Sequence, residues 1–260
     1  MPDTSTYDVG SVCIPCLKKK LDDAKQVIRD NIAQEIIGEL SNQELVRLPA
    51  ELKKRLSDEL NSGWVSDRDK IALDKLSEAS KAAAVEILKA SNKLSEQTKG
   101  LLDPKLIEGI YQAEGKRLSL LETIGIDGET IGRGQIGKDA YERVRTIFKN
   151  EIANNGLQIT GDYKADLNNP FVEDFMTAAY SAIRIEGAQK IDRSAEDALK
   201  FGIGLYHGAR NTLYEAQKQV DDLINYSPVE NVLKSGNDKQ RDIAAYIDEV
   251  IAVTQQNIKP

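Results

Sequence analysis

The chain has 260 residues, of which 40% are hydrophobic, 5% aromatic and 30% charged, and a formal net charge of −7. That length admits one large domain or two modest ones, and few aromatics beside abundant Ala, Leu, Ile, Lys and Glu predict a mainly α protein. The acidity disfavours nucleic acid as a partner, because phosphate binding relies on Lys and Arg, and no apolar run approaches the roughly 18–20 residues that span a bilayer.

Residues 1–16 read as an irregular tail, broken by Pro2, Gly10 and Pro15. The lysines of residues 1–20 follow the weakly apolar part instead of preceding it, and there is no apolar h-region. A secretory signal peptide is therefore not expected. Cys13 and Cys16 are spaced Cys-x-x-Cys. Two thiolates fall short of the four ligands a zinc site wants, and no βαβ pattern surrounds them as a redox motif requires. The pair reads as inert or as part of a docking tail, and neither a metal nor any other cofactor is expected.

From Leu17 the pattern turns helical, with Leu21, Ala24, Ile28, Ile32, Ile36 and Leu40 recurring every three or four residues. Pro49 suits the first turn of a helix over 50–60. Ser66 and Asp67 cap another, with Ile71, Leu73, Leu76 and Ala79 as its apolar positions, and 82–94 continues as helix. Residues 17–100 are thus predicted to be a helical docking or delivery domain, with Trp64 as a packing residue. Residues 97–103 are predicted to link it to a second domain, 101–260. There Leu106, Ile107, Ile110 and Tyr111 form an apolar stripe, and Glu114 follows on the same helix. Five glycines between 125 and 137, with Asp127-Gly128 as a tight-turn signal, suggest a small hairpin. Helix resumes over 139–149. Residues 156–170 are polar and turn-rich, with a short β-like piece at 159–162. Helices follow over 171–185, 195–203, 207–224 and 239–256. Tyr141 and Tyr180 read as core residues, and Lys116, Arg117, Arg133 and Lys138 as a local basic patch.

Glycoside cleavage needs a protonated carboxyl that donates to the leaving oxygen, commonly with a second carboxylate beside it. Burial against apolar neighbours keeps an acid protonated by disfavouring its charged form. Glu114 has such neighbours in Ile107, Ile110 and Tyr111. On the helix pattern alone the alternative is a solvated carboxylate at a helix end.

The downstream residues add to this. Gln135 stands 21 residues after Glu114, within Thr130-Ile131-Gly132-Arg133-Gly134-Gln135-Ile136-Gly137, and Tyr206-His207-Gly208 begins 71 residues beyond Gln135. The set resembles the lysozyme-like superfamily of peptidoglycan-cleaving enzymes, especially its lytic-transglycosylase and goose-type branches. In those, a catalytic Glu ends a helix and is followed by a Gly-x-x-Gln-Ile loop and a Tyr-Asn-x-Gly motif. Glu114-Gly115 and the Thr-Ile-Gly before the loop also look like the phage-type lysozyme branch, where a Glu, an Asp and a Thr act together. The resemblance covers about residues 103–225. It implies a lysozyme-like helical catalytic domain with Glu114 as general acid and Thr130 as the matching Thr. The second carboxylate would be Glu122 or Asp127, with Glu122 ranked first. Gly132, Gln135, Tyr206 and His207 would hold the glycan. Gly134 stands where transglycosylases carry a larger residue, and His207 replaces the motif's Asn, so hydrolysis and transglycosylation both stay open.

The expected function is that of a muramidase cleaving the β-1,4 bonds of peptidoglycan glycan strands, as an antibacterial or lysis protein. It would be made in the cytoplasm and act in the periplasm or cell wall of a target cell. An immunity protein and a secretion-machine component are its expected protein partners. The alternatives are a lytic transglycosylase of the same fold, a chitinase-like enzyme, and a non-enzymatic helical interaction protein.

Overall fold

The computed structural model describes residues 67–117, 130–157, 159–190, 193–222 and 224–255, with side chains from residue 77 in the first stretch and from 132 in the second. Cys13, Cys16, Trp64, Glu122, Asp127 and the helices predicted over 17–60 lie outside the described residues. Among the described residues the protein is mainly helical, with one two-stranded hairpin. In chain order these are α1 (Asp67–Lys89), α2 (Glu96–Leu101), α3 (Pro104–Gly115), β1 (Thr130–Ile131), β2 (Ile136–Gly137), α4 (Lys138–Ile147), α5 (Lys149–Asn154) and α6 (Tyr163–Leu167). They continue with α7 (Pro170–Gln189), α8 (Ala195–Tyr206), α9 (Arg210–Gln217), α10 (Tyr226–Ser235) and α11 (Asp238–Gln255). No helix among them is long and apolar enough to cross a membrane.

The centre is α7. Asn169 caps it by accepting from the Phe171 N–H at 3.1 Å, and Pro170 occupies the first turn, where its missing N–H costs nothing. Residues from Phe171 to Ala188 are buried on nearly every side of this helix, as expected of one enclosed by neighbours instead of lying on a surface. α8 and α1 pack along it, with α4, α6, α2 and α3 around them. A second pairing joins α3 to α11. A β-carbon on Gly109 would stand 2.9 Å from the Val250 carbonyl oxygen, so the two helices approach too closely there for any side chain.

The core is one cluster that runs from Ala83 to Ile251. The expected division into 17–100 and 101–260 falls largely outside the described residues, which begin at 67. Ala83, Ala84, Val85, Ile87, Leu88 and Leu94 are buried in the same cluster as α3, α7 and α8. Residues 97–103 are the stretch expected to link two parts. They hold α2, whose Thr98 is fully buried against α7.

Other boundaries moved for local reasons. Residues 159–162 form no strand, because the Asp166 carboxylate takes the Thr160 and Gly161 N–H groups at 3.0 Å each, which a ladder would otherwise use. The helix expected over 207–224 begins only at Arg210. Gly208 adopts φ +76° and ends α8, with the Ala209 N–H returning to the Gly204 carbonyl at 3.1 Å. That stop leaves His207 at a helix end. Helices α6 and α10 were not expected.

Candidate functional site

Glu114 reaches its place through the apolar stripe that precedes it. Asp103 caps α3 by accepting from the Lys105 N–H at 2.7 Å. Leu106, Ile107, Ile110 and Ala113 then bury their face of the helix, which turns Glu114 inward at 7% exposure. A carboxylate at a helix C-terminus opposes the macrodipole, so its position depends on neighbours. Arg117 closes the helix end, donating to the Ala113 carbonyl at 2.8 Å.

Within the glycine-rich stretch expected to include a hairpin, residues 130–137 form one, while the Asp127-Gly128 turn signal lies outside the described residues. Thr130 pairs with Gly137 and Ile131 with Ile136. The turn between them holds Gly132 at φ +79° and Gln135 at φ +48°, the latter a left-handed conformation that a non-glycine residue rarely adopts. The Gln135 amide holds the turn shut by donating from Nε2 to the Gly132 carbonyl at 2.6 Å.

Under this turn lies a buried charge cluster. Arg133 bonds Glu173 at 2.9 Å and Asp174 at 3.2 Å, and its guanidinium stands 4.3 Å from the centre of the Tyr111 ring. The Tyr111 hydroxyl donates to Asp174 at 2.7 Å, and the Gly134 N–H to Glu173 at 3.1 Å. Burial pushes both carboxyls above the usual range, although the Arg133 charge opposes the shift. The Tyr111 hydroxyl is pushed far up by burial and then by the Asp174 and Glu173 charges. The expected basic patch is therefore largely neutralised. Arg133 is spent on these acids, and Arg117 and Lys116 on α11.

One pocket of about 450 Å³ collects the predicted residues. Glu114, Gln135, Tyr206 and His207 all line it, with Arg117, Asp139 and Tyr180 among the others. Tyr206 donates its hydroxyl to the Gly134 carbonyl at 2.5 Å and packs on Tyr180 at 5.2 Å between ring centres. Burial, then the Glu114 charge, pushes that hydroxyl well above its ordinary pKa. Gly132 does not line the pocket. A β-carbon there would meet a Glu173 carboxylate oxygen at 2.4 Å, so its neighbour is the buried charge cluster. Thr130 contributes its backbone opposite Gly137, a pocket residue.

His207 faces carboxylates with both ring nitrogens. Nδ1 is 3.4 Å from Glu114 Oε1, and Nε2 is 3.7 Å from Asp242 Oδ2. Its ring stacks on Tyr246, 4.1 Å between centres and 17° between planes. Asp242 also accepts from Arg117 Nε at 3.1 Å, and Arg117 donates to Glu249 at 2.7 Å. Burial would lower the Arg117 pKa, but Glu249 and Asp242 outweigh it and raise it. Sequence reasoning missed Asp242, Tyr246 and Glu249. Their i, i+4 and i+7 spacing puts them on one helix face, but does not say that this face meets His207. No group of His, Cys, Asp and Glu side chains suited to a metal ion occurs among the described residues.

Chemically, the pocket offers a shielded carboxyl, a histidine, a backbone-lined turn and two tyrosine rings. Comparison with protein-family models, curated proteins and solved structures found no match.

Proposed function

We propose that the protein is a muramidase, cleaving β-1,4 bonds of peptidoglycan glycan strands with Glu114 as the general acid. The observation that supports this is the convergence of Glu114, Gln135, Tyr206 and His207, from three separate stretches of chain, on one pocket. Glu114 gives its proton to the glycosidic oxygen as the bond to the leaving sugar breaks, and its burial at 7% exposure suits an acid shielded from water. Tyr206 and Tyr180 line the pocket and give its wall aromatic surface for a sugar to pack against. An antibacterial or lysis role, with an immunity protein and a secretion component as partners, extends the same proposal.

A lytic transglycosylase is the second reading. Beside Glu114, Asp139 is the pocket's other carboxylate among the described residues, while Glu122 and Asp127 lie outside them. The test incubates purified protein with peptidoglycan sacculi and identifies the fragment ends by mass. Reducing ends mark hydrolysis, and 1,6-anhydro ends mark transglycosylation. Glu114→Gln keeps the shape and cannot donate the proton, so cleavage should fall by about 10²- to 10⁴-fold. Cleavage near the wild-type rate in that variant removes the assignment. Alanine at Glu122, Asp127 and Asp139 asks which carboxylate, if any, is the second one.

A further inference from the structure

We infer that His207 is a positioning residue for Glu114 and not a glycan ligand: its ring, fixed by Tyr246 and Asp242, donates from Nδ1 to Glu114 Oε1. The inference rests on the acid role proposed for Glu114. A sugar ligand needs a ring nitrogen free to face the pocket, and here both nitrogens face protein carboxylates, at 3.4 and 3.7 Å.

The ring has little freedom to turn away. Tyr246 is fully buried, and the imidazole lies flat on it. Asp242, at the other edge of the ring, is held in turn by Arg117. Arg117 is anchored to the Ala113 carbonyl and to Glu249. The contacts close a circuit: α3 carries Glu114 and leads into Arg117, α11 carries Asp242 and Tyr246, and His207 caps α8.

The circuit addresses a specific difficulty. Glu114 sits at the C-terminal end of α3, where the helix dipole disfavours a carboxylate. When Glu114 passes its carboxyl proton to the glycosidic oxygen, the bond between that oxygen and the anomeric carbon breaks. The bond's electron pair goes to that oxygen, the anomeric carbon is left as an oxocarbenium ion for a nucleophile to capture, and the new negative charge stays on Glu114. A hydrogen on His207 Nδ1 then faces the charge, and the donor is in place before the step begins.

His207 is the only histidine in the chain, so imidazole signals in ¹H–¹⁵N spectra of the full-length protein need no assignment. Glu114→Gln is expected to move the Nδ1 resonance, and Asp242→Asn the Nε2 resonance. Kinetics on soluble peptidoglycan fragments supply the second readout. His207→Phe keeps a ring on Tyr246 but has no nitrogen. It should lower kcat by about 10- to 150-fold, the equivalent of one hydrogen bond to a charged group, with KM little changed. His207→Asn puts an amide nitrogen near the place of Nδ1 and should recover much of that loss. Thermal melting checks that each variant is folded.

An imidazole spectrum that ignores Glu114→Gln overturns the inference, as does a raised KM at unchanged kcat in His207→Phe. A wild-type protein that cleaves no peptidoglycan removes the proposed function instead, and the spectrum still decides the contact between His207 and Glu114.

Discussion

Gly134→Ala tests how the floor of the cleft is built. The added β-carbon would stand 2.3 Å from Thr177 Oγ1, 3.1 Å from the Tyr206 hydroxyl and 3.2 Å from Tyr111 Cε1. Thr177 is fully buried on α7, and its Cβ is branched, so rotating Oγ1 away carries the methyl group into packed surroundings. Overpacking of this kind costs about 1–3 kcal/mol, which lowers Tm by about 2–4 °C per kcal/mol for a domain of this size. Thr177→Ala removes the atom that makes the closest contact. Denaturant unfolding of wild type, both single variants and the double variant forms a cycle. The double variant should be more stable than the sum of the single effects by about 1 kcal/mol or more, and it should regain cleavage in parallel. Additivity within about 0.5 kcal/mol would refute the steric account. Loss of turnover at full stability in Gly134→Ala would point instead to a glycine kept for close approach of a sugar.

Three further outcomes follow from the packing. Arg133→Met strands Glu173 and Asp174, which are 4% and 1% exposed. The cost should lie near the low end of the about 3–5 kcal/mol seen when a buried pair is broken, because Arg133 itself is 42% exposed. Since burial raises both carboxyls, the folded variant binds more protons than the unfolded chain. Its stability should rise as pH falls through the raised folded values, and the gain should be complete below the ordinary carboxylate range near about pH 4; a flat urea-melt profile from pH 7 to 4 contradicts this. Asp166→Asn should cost about 1–3 kcal/mol, because the carboxylate accepts from the Tyr141 hydroxyl, Thr160 and the Gly161 N–H. Burial pushes Asp166 up, but those bonds outweigh it and hold its pKa low. Its stabilisation is therefore present above the ordinary Asp value of about 3.9 and lost as pH falls below it, and acid-unfolding curves of the Asn variant should lack that contribution. A fragment beginning at residue 98 should not fold. It lacks the buried Val85, Ile87, Leu88 and Leu94, each of which contributes about 1.5–3 kcal/mol. The four together rival the whole stability of a typical domain, about 5–15 kcal/mol. A soluble fragment with a cooperative melt would support a boundary at 100.

The parts of the site that the sequence made visible are those written in local pattern. The stripe at Leu106, Ile107 and Ile110 faces inward and brings Glu114 with it. The glycines around Gln135 mark the turn, and Gly208 marks the end of α8. What stayed hidden depends on partners far along the chain. Glu173 and Asp174 look like a solvated pair on a helix face, and only Arg133, some forty residues earlier, makes their burial tolerable. Asp242 and Tyr246 lie on an ordinary amphipathic helix, and nothing near them in sequence says that Glu114 and His207 face them. The packing of residues 97–103 stayed hidden for the same reason. A polar stretch reads as a linker, yet Thr98 is buried with its hydroxyl bonded to Glu186 on α7.

The buried acids also say why this loop and this helix belong together. Burying two carboxylates is costly, and an apolar core of the same shape is often as stable or more so. Here the pair does what apolar side chains cannot. Glu173 holds the Gly134 N–H, Asp174 holds the Tyr111 hydroxyl, and Arg133 bridges both acids while lying over the Tyr111 ring. Tyr111 and Glu114 are three residues apart on α3 and both are buried. The turn that carries Gln135 is thereby fixed in position against the helix that carries Glu114. The cluster connects the two walls of the pocket through directional bonds, so its variants should shift turnover together with stability.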